Sequence, residues 1–235
     1  MKKVFLFYCG LLVAFSVLLV SCEQDADNEE SSGNGCFHNG HEYVDLGLPS
    51  GTKWATCNVG ATEPWEYGGY YAWGDTEEKE DDREEDFYKW YSSSGIIKYC
   101  HNSEHGVVDN KRVLDAADDV ARVLWGGNWC MPTIEDFEEL CNECSWNWTS
   151  LNNVDGCEIT GPNGNSVFLP NAGHLGEKSL HDIIIRGYYW SKNLSEYSFD
   201  AFNLYFSVGI EGGPNKKGVS VRSREDGLTV RPVCK

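Results

Sequence analysis

The first 22 residues decide where this chain folds. Lys2 and Lys3 open it, and the run from Val4 to Val20 is apolar apart from Tyr8, Gly10 and Ser16, ending in Leu19, Val20, Ser21 and Cys22. A basic start that stays inside, an apolar stretch that enters the translocon and a small residue that admits a peptidase make an export signal. The stretch of 17 residues is broken by polar and small ones and is short for a bilayer span, which takes about 20 apolar residues. No later stretch is apolar for long enough to cross a bilayer. The rest is expected to fold outside the cytoplasm.

The end of that run resembles the lipobox of bacterial lipoproteins. The resemblance implies cleavage before Cys22, a diacylglyceryl group on its sulfur, and lipid as the membrane anchor. The acidic run that follows, with Glu23, Asp25, Asp27, Glu29 and Glu30, resembles the export signal of surface lipoproteins in Bacteroidota. It implies an outer-membrane protein facing the cell exterior.

Removing residues 1–21 leaves 214 residues, enough for one domain with a substantial core. It also takes away two lysines and no acid, so a net charge of −18 becomes −20. Such a chain does not bind nucleic acid through its overall field, because that needs Lys and Arg to displace counterions from phosphates. Part of the charge is local: residues 76–86, TEEKEDDREED, read as a solvated loop without EF-hand spacing.

Eight cysteines remain besides Cys9 and Cys22: Cys36, Cys57, Cys100, Cys130, Cys141, Cys144, Cys157 and Cys234. An even number in an oxidising compartment predicts disulfides that brace the fold, with connectivity left open by sequence. Cys141 and Cys144 have CxxC spacing without a second such pair or a preceding strand, and read as structural thiols on a helix.

Residues 22–37 are acidic and then rich in Ser, Gly and Asn, too poor in apolar groups to fold, and are expected to be a tether. The folded domain is placed at 38–235. Its opening, HEYVDLGLPSGTKWATCNVG, gives two short strands broken at Pro49, Ser50 and Gly51. Val113 to Trp125 has a helical pattern, with Val113, Ala117, Val120, Ala121 and Leu124 on one face. A second helix follows Pro132, where Thr133 and Asp136 fit a capping box and Ile134, Phe137, Leu140, Cys141 and Cys144 share a face. Strands return in WNWTS, in CEIT and SVFLP joined by GPNG, and in YYWSK, AFNLYFSVG and LTVRPVC. The expected class is α+β, with short antiparallel strands and two central helices.

Several strings taken in order resemble one family: VDLGLPSGTKWATCNVGA, GGYYAWGDTEEK, DDVARVLWGGNWCMPTIEDFEEL, GCEITGPNGNSVFLPNAGH, YYWSK and VRPVC. They resemble the Fibrobacter succinogenes major paralogous domain, abundant in lipoproteins of Bacteroidota and similar to the formylglycine-generating-enzyme branch of the C-type lectin-like fold. The resemblance runs from about His41 to the end. It implies one C-type lectin-like domain with long irregular loops, whose first and last strands lie together. Given that topology, a Cys57–Cys234 bridge would close those strands, and Cys141–Cys157 would link the capped helix to the next strand. Relatives usually carry Arg where Cys130 stands and often Tyr at Cys157, which implies extra cross-links here. The fold implies function only loosely.

The resemblance leaves four functions open. An enzyme of the formylglycine-generating type needs a thiolate pair holding copper. Only Cys157 and Cys234 lie in the later half, neither in a matching string, and His101 and His105, four apart in a loop-like stretch, read as a surface pair rather than a metal site, so no catalysis, metal or cofactor is expected. Calcium-dependent sugar binding needs strings that EPW at Glu63 and WNW at Trp146 do not supply. The expected function is a binding or adhesion module for an extracellular glycan or protein, with a structural subunit of a surface fibre as the second alternative and an enzyme of the formylglycine-generating type as the third. The segment 188–206 mixes aromatic and small polar residues as recognition surfaces do. With Trp190, Phe202, Leu204 and Phe206 assigned inward, Tyr197, Asp200, Asn203 and Tyr205 are the exposed binding candidates.

Overall fold

The computed structural model describes residues 35–79, 88–176, 179–209 and 215–235. The expected export signal with Cys22, most of the expected tether and most of the acidic 76–86 stretch lie outside the described residues.

The chain opens into a four-stranded sheet. Strand β1 (Cys36–His38) pairs with β2 (His41–Asp45) across a two-residue turn in which Asn39 and Gly40 both have positive φ (46° and 77°), the torsions such hairpins demand. Then β2 pairs with β3 (Lys53–Ala55), and β3 with the last strand, β14 (Val233–Cys234), in the order β1-β2-β3-β14. The two strands expected around Pro49–Gly51 are present, and the beginning and end of the domain share a sheet.

Between them the chain forms hairpin β4–β5 (Tyr91–Ser92, Gly95–Ile96), helices α1 (Val120–Trp125) and α2 (Ile134–Glu143), and a sheet of β6 (Ser145–Leu151), β7 (Val154–Thr160) and β8 (Ser166–Pro170). A hairpin of β9 (His174–Gly176) and β10 (Ser179–His181) follows, then a sheet of β11 (Arg186–Leu194), β12 (Asp200–Ser207) and β13 (Lys216–Ser223). All strand pairs within these sheets are antiparallel.

The α+β expectation is corrected: among the described residues fourteen short strands in five small sheets dominate, and the two α-helices have only six and ten residues. The helix expected over Val113–Trp125 keeps only its last six residues. Asp119 stops it: this residue is extended, and its carboxylate accepts the N–H of Arg122 at 3.1 Å as an N-cap. The same carboxylate accepts the N–H of Met131 at 3.0 Å, tying the helix to the chain that returns beneath it. Asp118, also buried, is held by Lys98 and by the hydroxyl of Tyr99.

Helix α2 follows its sequence. Thr133 Oγ1 accepts the N–H of Asp136 at 3.1 Å, and the Asp136 carboxylate accepts the N–H of Thr133 at 2.9 Å, completing the capping box. Phe137 and Leu140 are buried against Trp54, Leu204 and Phe206.

Two apolar cores lie on opposite faces of the β11–β12–β13 sheet. One gathers Tyr71, Trp73, Trp129 and Trp190, and the other Trp54, Phe137, Tyr189 and Phe206. Two fully buried arginines stitch the last stretch of chain to earlier ones. Arg231 donates to Asn58 Oδ1 (2.7 Å) and to the carbonyls of Ala55 (3.0 Å) and Thr56 (2.8 Å). Arg224 donates to the Tyr88 hydroxyl and to the carbonyls of Lys98, Tyr99 and Ser198.

Of the cysteines expected to cross-link, Cys36 is disulfide-bonded, whereas the two suggested pairs are not formed. Cys57, Cys100, Cys130, Cys141, Cys144 and Cys157 keep free thiols, so neither Cys57–Cys234 nor Cys141–Cys157 is formed. Cys234 lies opposite Lys53, whereas Cys57 is four residues further on, about 13 Å along extended chain and too far for a bridge. Cys157 is buried in the middle strand of its sheet between Trp148 and Leu169. Burial pushes its thiol up to about 12 and that of Cys141 up to about 11, so both stay protonated, and Lys217 only partly offsets this.

Candidate functional site: an aromatic platform and a polar clasp

The four exposed candidates divide between two places. Tyr197 belongs to the connection between β11 and β12, which closes on its own hydrogen bonds, and Asp200 opens β12. The hydroxyl of Ser195 accepts the N–H of Tyr197 (3.0 Å) and donates to its carbonyl (2.8 Å), and the N–H of Asp200 also donates to that carbonyl (2.9 Å). Inside the turn, Ser198 is buried, with its hydroxyl 3.2 Å from His101 Nδ1. The turn therefore presents Tyr197 outward, 52% exposed.

Beneath Tyr197 runs a row of rings. His105 meets Tyr197 edge-on at 5.0 Å and Phe199 at 4.9 Å, and Tyr197 and Phe199 are 5.3 Å apart. Phe199 meets Tyr91 at 5.9 Å, and Tyr91 meets the buried Tyr88 at 4.8 Å. Tyr88 ends the row in the interior, donating to the Trp73 carbonyl and accepting from Arg224. The result is a platform braced from below and open at Tyr197. Asp200 stands at its edge, its carboxyl raised by partial burial and by the charge of Asp226.

Asn203 and Tyr205 lie elsewhere. Asn203 is expected outside and is found inside, 1% exposed, with neither its amide oxygen nor its nitrogen hydrogen-bonded. Strand pairing explains the difference: Asn203 stands opposite Trp190, and residues directly opposed across antiparallel strands share a face. Because both faces of this sheet are covered, alternation along β12 does not separate inside from outside.

Tyr205 is half-buried with its ring 5.4 Å from Tyr188, at the margin of a polar clasp that holds the β9–β10 hairpin to the sheet. The guanidinium of Arg222 lies 4.5 Å over the Tyr188 ring, donates to His174 Nε2, and has its Nε 2.8 Å from Asp226. The Asp182 carboxylate accepts from Arg186 (2.8 Å) and from the Tyr188 hydroxyl (3.2 Å). His174 stacks on His181 at 5.2 Å. Because Nε2 accepts from Arg222, the ring proton belongs on Nδ1, which is buried without a hydrogen-bond partner, 4.0 Å from Asp182. Burial and the Arg222 charge push His174 down to about 4. Asp182 and Ile184 both take left-handed torsions (φ 59° and 65°), which for β-branched Ile184 marks strain in the turn after β10.

Chemically, the platform offers π-faces and carboxylates, and the clasp offers paired charges already engaged with one another. Among the described residues no group of three or more His, Cys, Asp or Glu side chains is placed to hold a metal ion. Sequence reasoning named His101 and His105 only as a surface pair, and it missed Tyr91, Phe199, His174 and Arg222. The platform comes from three separate stretches of chain, so no local string could have announced it.

No protein-family model matches this chain, and neither does any curated protein or solved structure.

Proposed function

We propose that this chain is a non-catalytic binding or adhesion module, lipid-anchored through Cys22 in the outer membrane and facing the cell exterior, that holds an extracellular ligand on the Tyr197 platform. The observation that carries the reading is the braced row of rings: Tyr91, His105 and Phe199 support an exposed Tyr197 on a turn that closes without it. A rigid aromatic on a self-closed loop is an economical contact, because little side-chain entropy is lost on binding. The lipobox and acidic tether support the location.

The soluble domain, residues 35–235, displayed against glycan and protein arrays, should bind a limited set of ligands. Tyr197→Ala should reduce that binding at least about tenfold, the loss expected of an aromatic hot spot. A ligand set that is indifferent to Tyr197→Ala and Phe199→Ala would reject the platform as the site.

A further inference from the structure

We propose that the Tyr197 platform takes the lysine or arginine side chains of an extended basic segment of a partner protein, an inference that rests on the binding reading above. This fold places its own cations over rings. Lys98 lies 5.0 Å over the Trp90 ring and 4.8 Å over the Tyr99 ring while it pairs with Asp115 at 2.8 Å and with Asp118 at 2.5 Å. Arg222 lies over Tyr188 while it pairs with Asp226. At both places rings supply a negative π-face, a carboxylate supplies the counter-charge, and a cation of the chain joins them.

The platform has the same parts. Tyr91, Tyr197 and Phe199 supply rings, and the charges of Glu225 and Asp200 act on the Tyr91 hydroxyl against the single opposing charge of the buried Arg224. Glu104 flanks His105 and is exposed. Among the described residues Asp200, Glu225 and Glu104 have no basic partner. The basic groups nearby are committed: Arg112 to Glu196 (3.1 Å), Arg222 to Asp226 (2.8 Å), and Arg224 to the Tyr88 hydroxyl and three carbonyls beneath the rings. Rings and unpaired carboxylates together therefore face outward on a chain whose net charge of −18 favours encounter with a basic partner. A neutral glycan would use the rings and leave the carboxylates unexploited.

The probe is a short, fluorescein-labelled Gly/Ser peptide bearing spaced arginines, matched by one with glutamines in their place, each titrated into the soluble domain by fluorescence polarisation. The arginine peptide should bind saturably, and Tyr197→Ala or Asp200→Asn should each weaken it about tenfold. Glu135→Gln, which removes the same charge from the exposed side of α2, should change binding less than about twofold. Unchanged melting temperatures would show that the variants are folded. Equal binding of the glutamine peptide overturns the inference, and so does equal weakening by Glu135→Gln and Asp200→Asn, which would reduce the effect to the general field. If an array ligand that is neutral depends on Tyr197 while the arginine peptide does not, the binding reading stands and the cation inference falls. If neither depends on Tyr197, both fall.

Discussion

His174 shows how much one side chain can carry. It sits between Arg222, which donates to it, and Asp182, which is too far to bond it, with Arg186 and His181 adding positive charge or potential charge around the ring. Its proton affinity in the fold falls to about 4 from an ordinary 6.5, so the unfolded chain takes up the proton first. A base depressed in this way stabilises the fold fully above about pH 6.5, and the contribution is lost as pH falls toward about 4. Urea unfolding across that window should show a stability loss of about 2 to 3 kcal/mol beyond the background of the carboxylates. His174→Asn should remove that extra slope. An unchanged slope in the variant would mean that the ring is not held neutral between these partners. Nothing local in the sequence marks the residue, because its partners stand eight and 48 positions away.

Elements differed sharply in how far sequence revealed them. Helix α2 was legible because its signals are local: a cap, a reciprocal acid three residues on, and apolar spacing of three and four. The hairpin over GPNG was legible for the same reason. The longer helix expected from Val113 was not, since three nearby aspartates have stronger uses than a helical turn: Asp115 and Asp118 bind Lys98, and Asp119 caps. Asp136 shows the reverse case, a cap that long-range contacts reinforce. Besides Thr133 it accepts from the Thr52 hydroxyl at 3.0 Å and pairs with Lys235 at 2.9 Å, joining α2 to the loop before β3 and to the end of the chain. Burial alone would raise its carboxyl, yet the hydrogen bonds from Thr133 and Lys235 hold it below the usual range. Asp136→Ala should cost about 2 to 4 kcal/mol, a lost cap plus a buried Thr52 hydroxyl left without its acceptor, read from chemical unfolding. A cost near that of an ordinary exposed cap would show that the tertiary contacts add nothing.

At the scale of the whole molecule, the fold is closed by its last residues. Val233 is buried, exchanges both backbone hydrogen bonds with Cys130 at 2.9 Å, and stands opposite Trp54. Deleting residues 232–235 removes β14 and the Lys235 pair at once. The truncated chain should lose its cooperative thermal transition and expose apolar surface to a hydrophobic dye. A sharp transition retained in that variant would show that the two ends are not needed to hold the cores. The sequence suggested such closure only through resemblance, because a two-residue strand carries no period of its own.

The turn that presents Tyr197 closes through the Ser195 hydroxyl and main-chain groups, so the ring at its tip does no work in shaping it. Scaffold and contact are thus uncoupled there. Over generations, position 197 can sample other side chains while the strands on either side keep their register, which makes the platform a place where partner choice can drift without the fold having to follow.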